Sequence, residues 1–171
     1  MRVCSWWGLL LMSGVSLSAA AASPGLDEGA GAEGLVPRVF IEDVSYFQTD
    51  EEFHAWLELR RKLKQDFDDI CGDTFCEGDY ANIESIIFRC SVDQSSGRIG
   101  QCYWVFGGSY ESVDSSTGKL AVESRTWACR SPLARGTTIQ ALMKALEGPN
   151  PMNTPLPKTR KTLYDGLIDC L

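Results

Sequence analysis

The chain has 171 residues, of which 44% are hydrophobic and 23% charged, a composition typical of one globular domain and unlike that of a disordered chain. Its 23 acidic and 16 basic side chains give a formal net charge of −7 at pH 7. A negative field repels phosphate backbones and no basic stripe overrides it, so the charge argues against nucleic acid as a partner.

Residues 1–22 have the features of a cleavable export signal in the usual order. Arg2 is the positive start, residues 6–17 are mainly apolar, and residues 19–22 are the small alanines that a signal peptidase reads. The apolar stretch is interrupted by glycine and serine and is shorter than the roughly 20 residues of a membrane span. We therefore predict a secreted or periplasmic protein that begins near Ser23, with no membrane span in its mature chain.

Residues 23–36 are rich in glycine, alanine and acid, which predicts a flexible leader. Residues 37–171 are then a single domain. Residues 36–46 contain β-branched and aromatic side chains, and we expect a first strand there. Thr49 and Glu52 form a capping box, and apolar residues recur at helical spacing as far as Cys71. This pattern predicts a helix over residues 49–71, ended by Gly72 in the left-handed conformation.

Three further strands are expected over residues 83–92, 99–113 and 120–129. The two connections between them are alike, each with an aspartate, small polar residues and a glycine, Gly97 or Gly118, suited to a short hairpin turn. In the first hairpin we take Gln94 and Arg98 as the closing pair. A second capping box, at Thr137 and Gln140, predicts one C-terminal helix. Apolar residues at 163, 167 and 168 predict a short last helix over residues 162–171. The predicted fold class is therefore α+β: an N-terminal helix, a three- to four-stranded antiparallel meander and C-terminal helices, stabilised by disulfides.

The cysteines of the mature chain form an even set, which in an exported protein predicts three disulfides. They are Cys71, Cys76, Cys90, Cys102, Cys129 and Cys170. Counting residues outward from the closing pair of the first hairpin places Cys90 opposite Cys102. The short spacing along the chain allows Cys71 to pair with Cys76, which leaves Cys129 to pair with Cys170. If the pair Gly107-Gly108 shifts the second hairpin by one residue, Cys102–Cys129 with Cys90–Cys170 is the alternative.

Carboxylates crowd the end of the first predicted helix and the segment that follows it. The helix dipole disfavours anions at that end, and several oxygens around one point are what Ca²⁺ binds. The candidate ligands are Asp69, Asp73, Glu77 and Asp79. The spacing does not match an EF-hand loop, and an acidic loop in solvent is the competing interpretation. Calcium is the one cofactor that the sequence suggests.

No catalytic motif is present, and the single histidine, His54, lies within the first helix, where a surface position explains it. Six aromatic residues fall on the predicted strands and indicate either a core or an exposed platform for sugar or peptide: Phe88, Tyr103, Trp104, Phe106, Tyr110 and Trp127. Our leading hypothesis is a non-enzymatic binding or structural domain with a protein or glycan partner. The alternatives are a carboxylate-dependent enzyme of the cell envelope and a calcium-stabilised adhesion module.

Overall fold

A computed structural model describes residues 37–171 of the chain. The predicted export signal, residues 1–22, and the leader, residues 23–36, lie outside the described residues. One four-stranded antiparallel sheet has the order β1-β2-β3-β4, with β1 at Phe40–Glu42, β2 at Glu84–Asp93, β3 at Ile99–Val113 and β4 at Leu120–Arg130. The helices are α1 (Asp43–Tyr46), α2 (Asp50–Thr74), α3 (Ile139–Ala145) and α4 (Leu163–Ile168), and short 3₁₀ turns lie at Gly78–Tyr80 and Pro151–Asn153.

The long helix α2 covers one face of the sheet. Trp56, Leu63 and Phe67 on its buried side are fully enclosed, and the ring of Phe67 lies 4.6 Å from that of Phe106 on β3. Thr49 caps the first turn, since its hydroxyl accepts the amide hydrogen of Glu52 at 3.2 Å. The predicted α+β class with an antiparallel sheet is therefore correct, and the strand count is four. No helix within residues 37–171 has the length and apolarity to cross a bilayer.

Three disulfides are present: one at the end of α2, one between β2 and β3, and one that ties β4 to the segment after α4. Cys71 pairs with Cys76, Cys90 with Cys102 and Cys129 with Cys170. The alternative pairing is incompatible with the register, because Cys129 lies opposite Trp104 and not opposite Cys102. The register of β3 and β4 runs without a shift from Tyr103 to Val113, so the expected irregularity at Gly107-Gly108 does not occur in this hairpin.

The first hairpin closes differently from the prediction. The backbone amide of Asp93 donates to the carbonyl of Arg98, and Val92 lies opposite Ile99. Gln94 and Arg98 are therefore not the closing pair. The register shifts by one residue at Gly100, which restores Cys90 opposite Cys102. The hairpin count reached the correct cysteine pair because this bulge offsets the misplaced closing pair.

Two predicted boundaries were wrong near the ends of elements. The first strand is only Phe40–Glu42 and not residues 36–46, because Asp43 begins the helical turn α1 and buries its carboxylate under β2. Helix α2 does not end at Gly72 but continues to Thr74. There the amides of Phe75 and Cys76 both donate to the carbonyl of Cys71, so the residues enclosed by the disulfide form the helix end.

Both C-terminal helices begin at a threonine. Helix α3 is capped by Thr138, one residue after the expected position, and its hydroxyl accepts the amide hydrogen of Ala141. Helix α4 begins after Thr162, which forms a full capping box with Asp165. Leu163 and Leu167 of α4 are buried, and Cys170 beyond it is bonded to Cys129, so the chain end is held against β4.

Candidate functional site

Four basic side chains surround one cleft beside the first hairpin. The cleft has a volume of about 490 Å³ and is lined by Arg38, Arg98, Arg135 and Lys158, with Phe40, Asp93, Ile99, Gly100 and Gly136 between them. All four basic residues are exposed. They come from four separate segments of the chain, so the tertiary structure alone concentrates this positive charge.

Backbone hydrogen bonds bring Arg38, Arg98 and Arg135 together. The amide of Gln94 donates to the carbonyl of Val39 at 2.9 Å, which holds the segment of Arg38 beside the hairpin turn. Arg98 forms a β-bridge with Thr138, and the amide of Ile99 donates to the carbonyl of Thr137 at 2.9 Å. The loop that carries Arg135 is therefore fixed against the start of β3.

Lys158 completes the cleft from an unusual backbone conformation. Its φ is +62°, the only positive φ of a non-glycine residue within 37–171. The left-handed region is strained for a lysine, and such strain persists only where the surroundings enforce it. The Lys158 ammonium donates to the carbonyl of Gly136 at 3.2 Å, so the strained residue spans the cleft to the Arg135 loop.

The charges in the cleft are unbalanced. Among the described side chains, salt bridges join Arg61 to Glu58, Lys64 to Asp68 and Glu84, and Arg89 to Glu42. None of the four cleft cations takes part in one. Although the chain has an excess of acids, the part that the structure describes places no carboxylate in a salt bridge with these four cations.

The one carboxylate in the cleft lining, Asp93, is already occupied by the hairpin turn. Its Oδ1 accepts hydrogen bonds from the hydroxyls and the backbone amides of Ser95 and Ser96, at 2.7 to 3.1 Å. The hydroxyls of Ser95 and Ser96, followed by the amides, lower the pKa of Asp93 to about 2. Asp93 is buried, its hydrogen bonds come from the turn, and it forms no salt bridge with any of the four cleft cations.

This arrangement suits the binding of an anion. A guanidinium presents several N–H donors in a planar fork that matches carboxylate, sulfate and phosphate groups. Phe40 is 47% exposed and Ile99 is half-buried, so the cleft also has an apolar wall. A ligand with two or more anionic groups on a ring or short chain fits both features.

The calcium candidates lie elsewhere, at the end of α2 and in the turn after it. Asp69, Glu77 and Asp79 are exposed, and the side chain of Asp73 is not among those described. Among the described side chains, no three His, Cys, Asp or Glu residues are grouped so that they would hold a metal ion. The calcium site therefore stays a prediction.

The aromatic residues of the strands are mostly core. Phe88, Trp104, Phe106 and Trp127 are all at most 8% exposed, whereas Tyr103 is half-buried on the open face of the sheet and Tyr110 is 39% exposed. These residues do not form an exposed platform, because α2 covers the face on which most of them lie. His54 is exposed on α2, with its ring against that of Phe53.

The cleft could not be predicted from the sequence because its cations are far apart along the chain; even the nearest two, Arg135 and Lys158, are separated by 23 residues. The local signal is weak: each cation stands next to a glycine or proline, in the pairs Pro37-Arg38, Gly97-Arg98, Arg135-Gly136 and Pro157-Lys158. Turn residues place such side chains in loops, but nothing in the sequence indicates that the loops meet.

Comparisons of the chain with protein-family models, with curated proteins and with solved structures gave no match. The function is therefore argued from the geometry of the cleft.

Proposed function

We propose that the protein is a secreted or periplasmic binding domain whose basic cleft binds a ligand with two or more phosphate, sulfate or carboxylate groups. The observation that carries the proposal is the set of four cations, around a cavity of about 490 Å³, that have no ion-pair partner among residues 37–171. This volume lies within the about 300–1,000 Å³ that is usual for small-molecule sites. The bound ligand would supply the negative charge that pairs with these cations.

The proposed location rests on two features. Three disulfides suggest an oxidising, extracellular environment, since such bonds are rare where thiols are kept reduced. Residues 1–22 supply the proposed signal for export. N-terminal sequencing of the exported protein is expected to give a start near Ser23, and a start at Met1 would contradict the cleavage.

Binding is tested by thermal unfolding in the presence of pyrophosphate and citrate, with sucrose as a neutral probe. A ligand that binds only the folded state raises the melting temperature. We expect pyrophosphate or citrate to raise it and sucrose at the same concentration to leave it unchanged. Isothermal titration of the same probes at two salt concentrations should show weaker binding at the higher one, because salt screens exposed charges.

The cleft is identified by matched substitutions. Arg98→Gln and Arg135→Gln remove one charge each from the cleft, and each is expected to weaken probe binding about tenfold, equivalent to about 1.4 kcal/mol. Arg61→Gln is the control, because Arg61 is an exposed arginine outside the cleft lining and paired with Glu58. Equal weakening by all three variants would show a general charge effect, and the absence of binding by either anion would overturn the proposal.

A further inference from the structure

Strand β4 forms one edge of the sheet and is exposed over most of its length. Within residues 37–171 it pairs with β3 on one side only, and every residue from Leu120 to Thr126 is exposed. Val113 at the end of β3, and Leu120 and Val122 on β4, have more than 60% of their surface accessible. Edge strands of this length normally carry a proline or are covered, because their free backbone groups pair with other chains. β4 has no proline.

The free backbone groups of β4 belong to its even-numbered residues. Just before β4, the carbonyl of Lys119 accepts a hydrogen bond from the backbone amide of Asp114. Just after β4, the backbone amide of Ser131 donates to the carbonyl of Cys102. The register between these two bonds has no shift, so the odd-numbered residues bond to β3. Val122, Ser124 and Thr126 therefore direct their N–H and C=O groups to the open edge.

The charges on β4 are self-complementary about Ser124. Glu123 and Arg125 flank this residue, and neither belongs to a salt bridge among the described side chains. Glu123 accepts a hydrogen bond from the hydroxyl of Tyr80, and Arg125 lies over the rings of Tyr80 and Trp127. Both side chains are therefore held on the same face of the strand.

We propose that two copies of this chain associate through antiparallel pairing of β4 with β4, about a two-fold axis at Ser124. In this register Glu123 of each copy lies opposite Arg125 of the other, and Val122 lies opposite Thr126. About ten main-chain hydrogen bonds join residues 120–128 of the two strands. The two four-stranded sheets become one continuous sheet, and each opposite-charge pair is a favourable cross-strand contact.

Neighbouring registers are disfavoured by charge. If the axis moves by one residue, Glu123 faces Glu123 or Arg125 faces Arg125, and like charges directly opposite each other destabilise strand pairing. Charged residues on an edge strand usually prevent association. Here their opposite signs and their symmetric placement favour a second copy, whereas an unrelated strand has no reason to carry the complementary spacing.

The experiment measures the mass of the purified protein by analytical ultracentrifugation from about 1 to about 100 µM, a range that covers weak homodimers. The wild type is expected to be dimeric at the upper concentrations. Glu123→Arg and Arg125→Glu each place like charges opposite each other, so each variant alone should be monomeric. An equimolar mixture of these two variants restores both opposite-charge pairs and should be dimeric again.

Two further variants act as controls on the strand and on the fold. Ser124→Pro removes an outward amide without breaking the ladder to β3 and should also be monomeric. Glu111→Arg changes a charge on the neighbouring strand β3, away from the edge, and should leave the dimer intact. A wild type that stays monomeric, or a mixture of the two single variants that stays monomeric, would overturn the proposal. Neither result bears on anion binding by the cleft.

Discussion

The carboxylate of Asp43 accepts a hydrogen bond of 2.5 Å from the backbone amide of Cys90 in the interior of the protein. Asp43 is fully buried and lies in the helical turn after β1, whereas Cys90 lies on β2 and is disulfide-bonded to Cys102. The contact attaches the first described segment to the centre of the sheet. It also joins that segment to the cleft, since Arg38 and Phe40 directly precede the turn.

Asp43 should make the stability of the wild type depend on pH in a specific direction, and its replacement should remove this dependence. Burial raises the pKa of Asp43 above its usual value of 3.8, while the bond from Cys90 opposes that effect. The folded state therefore binds the proton more tightly than the unfolded state, and acid favours folding through this group. The free energy of unfolding of the wild type, relative to Asp43→Ala, should increase as the pH falls through the raised pKa towards 3.8.

Below pH 3.8 the difference in the free energy of unfolding between the wild type and Asp43→Ala should be constant. We expect it to be about 1–3 kcal/mol, the cost of a buried amide of Cys90 without its acceptor. Urea unfolding of both proteins at a series of pH values measures it. Ser45→Ala changes an exposed residue of the same helical turn and should unfold like the wild type at every pH. A difference between wild type and Asp43→Ala that shrinks in acid would contradict the prediction.

Asp93 should have the opposite pH dependence. Its pKa is lowered from 3.8 to about 2 by the hydrogen bonds from Ser95 and Ser96, so the folded state favours the charged form. This contribution is complete above pH 3.8 and is lost as the pH falls through about 2. Asp93→Asn should therefore be less stable than the wild type at neutral pH, and the two melting temperatures should converge between about pH 4 and about pH 2. If the difference between the two melting temperatures stays constant over this pH range, the charge of Asp93 does not stabilise the turn.

The two hairpin glycines offer a matched pair of substitutions. Gly97 and Gly118 have nearly the same φ, +66° and +67°, so alanine at either position is strained by about 1–2 kcal/mol. A Cβ on Gly97 would also lie 2.5 Å from the hydroxyl oxygen of Tyr46, whereas a Cβ on Gly118 meets no atom within 4 Å. Gly97→Ala should be the more destabilising by about 1–3 kcal/mol, the usual cost of overpacking.

Chemical denaturation of the two alanine variants measures this difference. The addition of Tyr46→Phe removes the clashing oxygen and should recover part of the stability of Gly97→Ala, but none of that of Gly118→Ala. Equal losses in the two glycine variants would show that backbone strain alone sets the cost. Because Gly97 directly precedes Arg98, Gly97→Ala is also expected to weaken probe binding in the cleft, and Gly118→Ala is not.

The calcium prediction is tested on protein freed of metal beforehand. If Asp69, Asp73, Glu77 and Asp79 bind one cation, millimolar Ca²⁺ should raise the melting temperature, since a ligand of the folded state stabilises it. Asp69→Asn together with Asp79→Asn should abolish the rise, and Glu51→Gln, which changes an acid at the other end of α2, should not. No shift with saturating calcium would leave these four residues as solvated surface.

The sequence determined the elements whose signals are local. The capping threonine at residue 49 and the glycines of both turns specify a helix and two hairpins through contacts within a few residues. Counting outward from the turn also placed Cys90 beside Cys102, but this result depended on the bulge at Gly100, which offsets the misplaced closing pair and which no local signal had predicted.

Only the tertiary structure decided the features that join distant segments. Strand β1 ends at Glu42 because the carboxylate of Asp43 accepts a hydrogen bond from the amide of Cys90, which lies 47 residues later in the chain. Arg38, Arg98, Arg135 and Lys158 form one cleft because three loops are bonded to the first hairpin or to one another, and no short-range pattern records such bonds. Charge along the chain is an average over all residues, whereas binding depends on the few cations that the fold brings to one place.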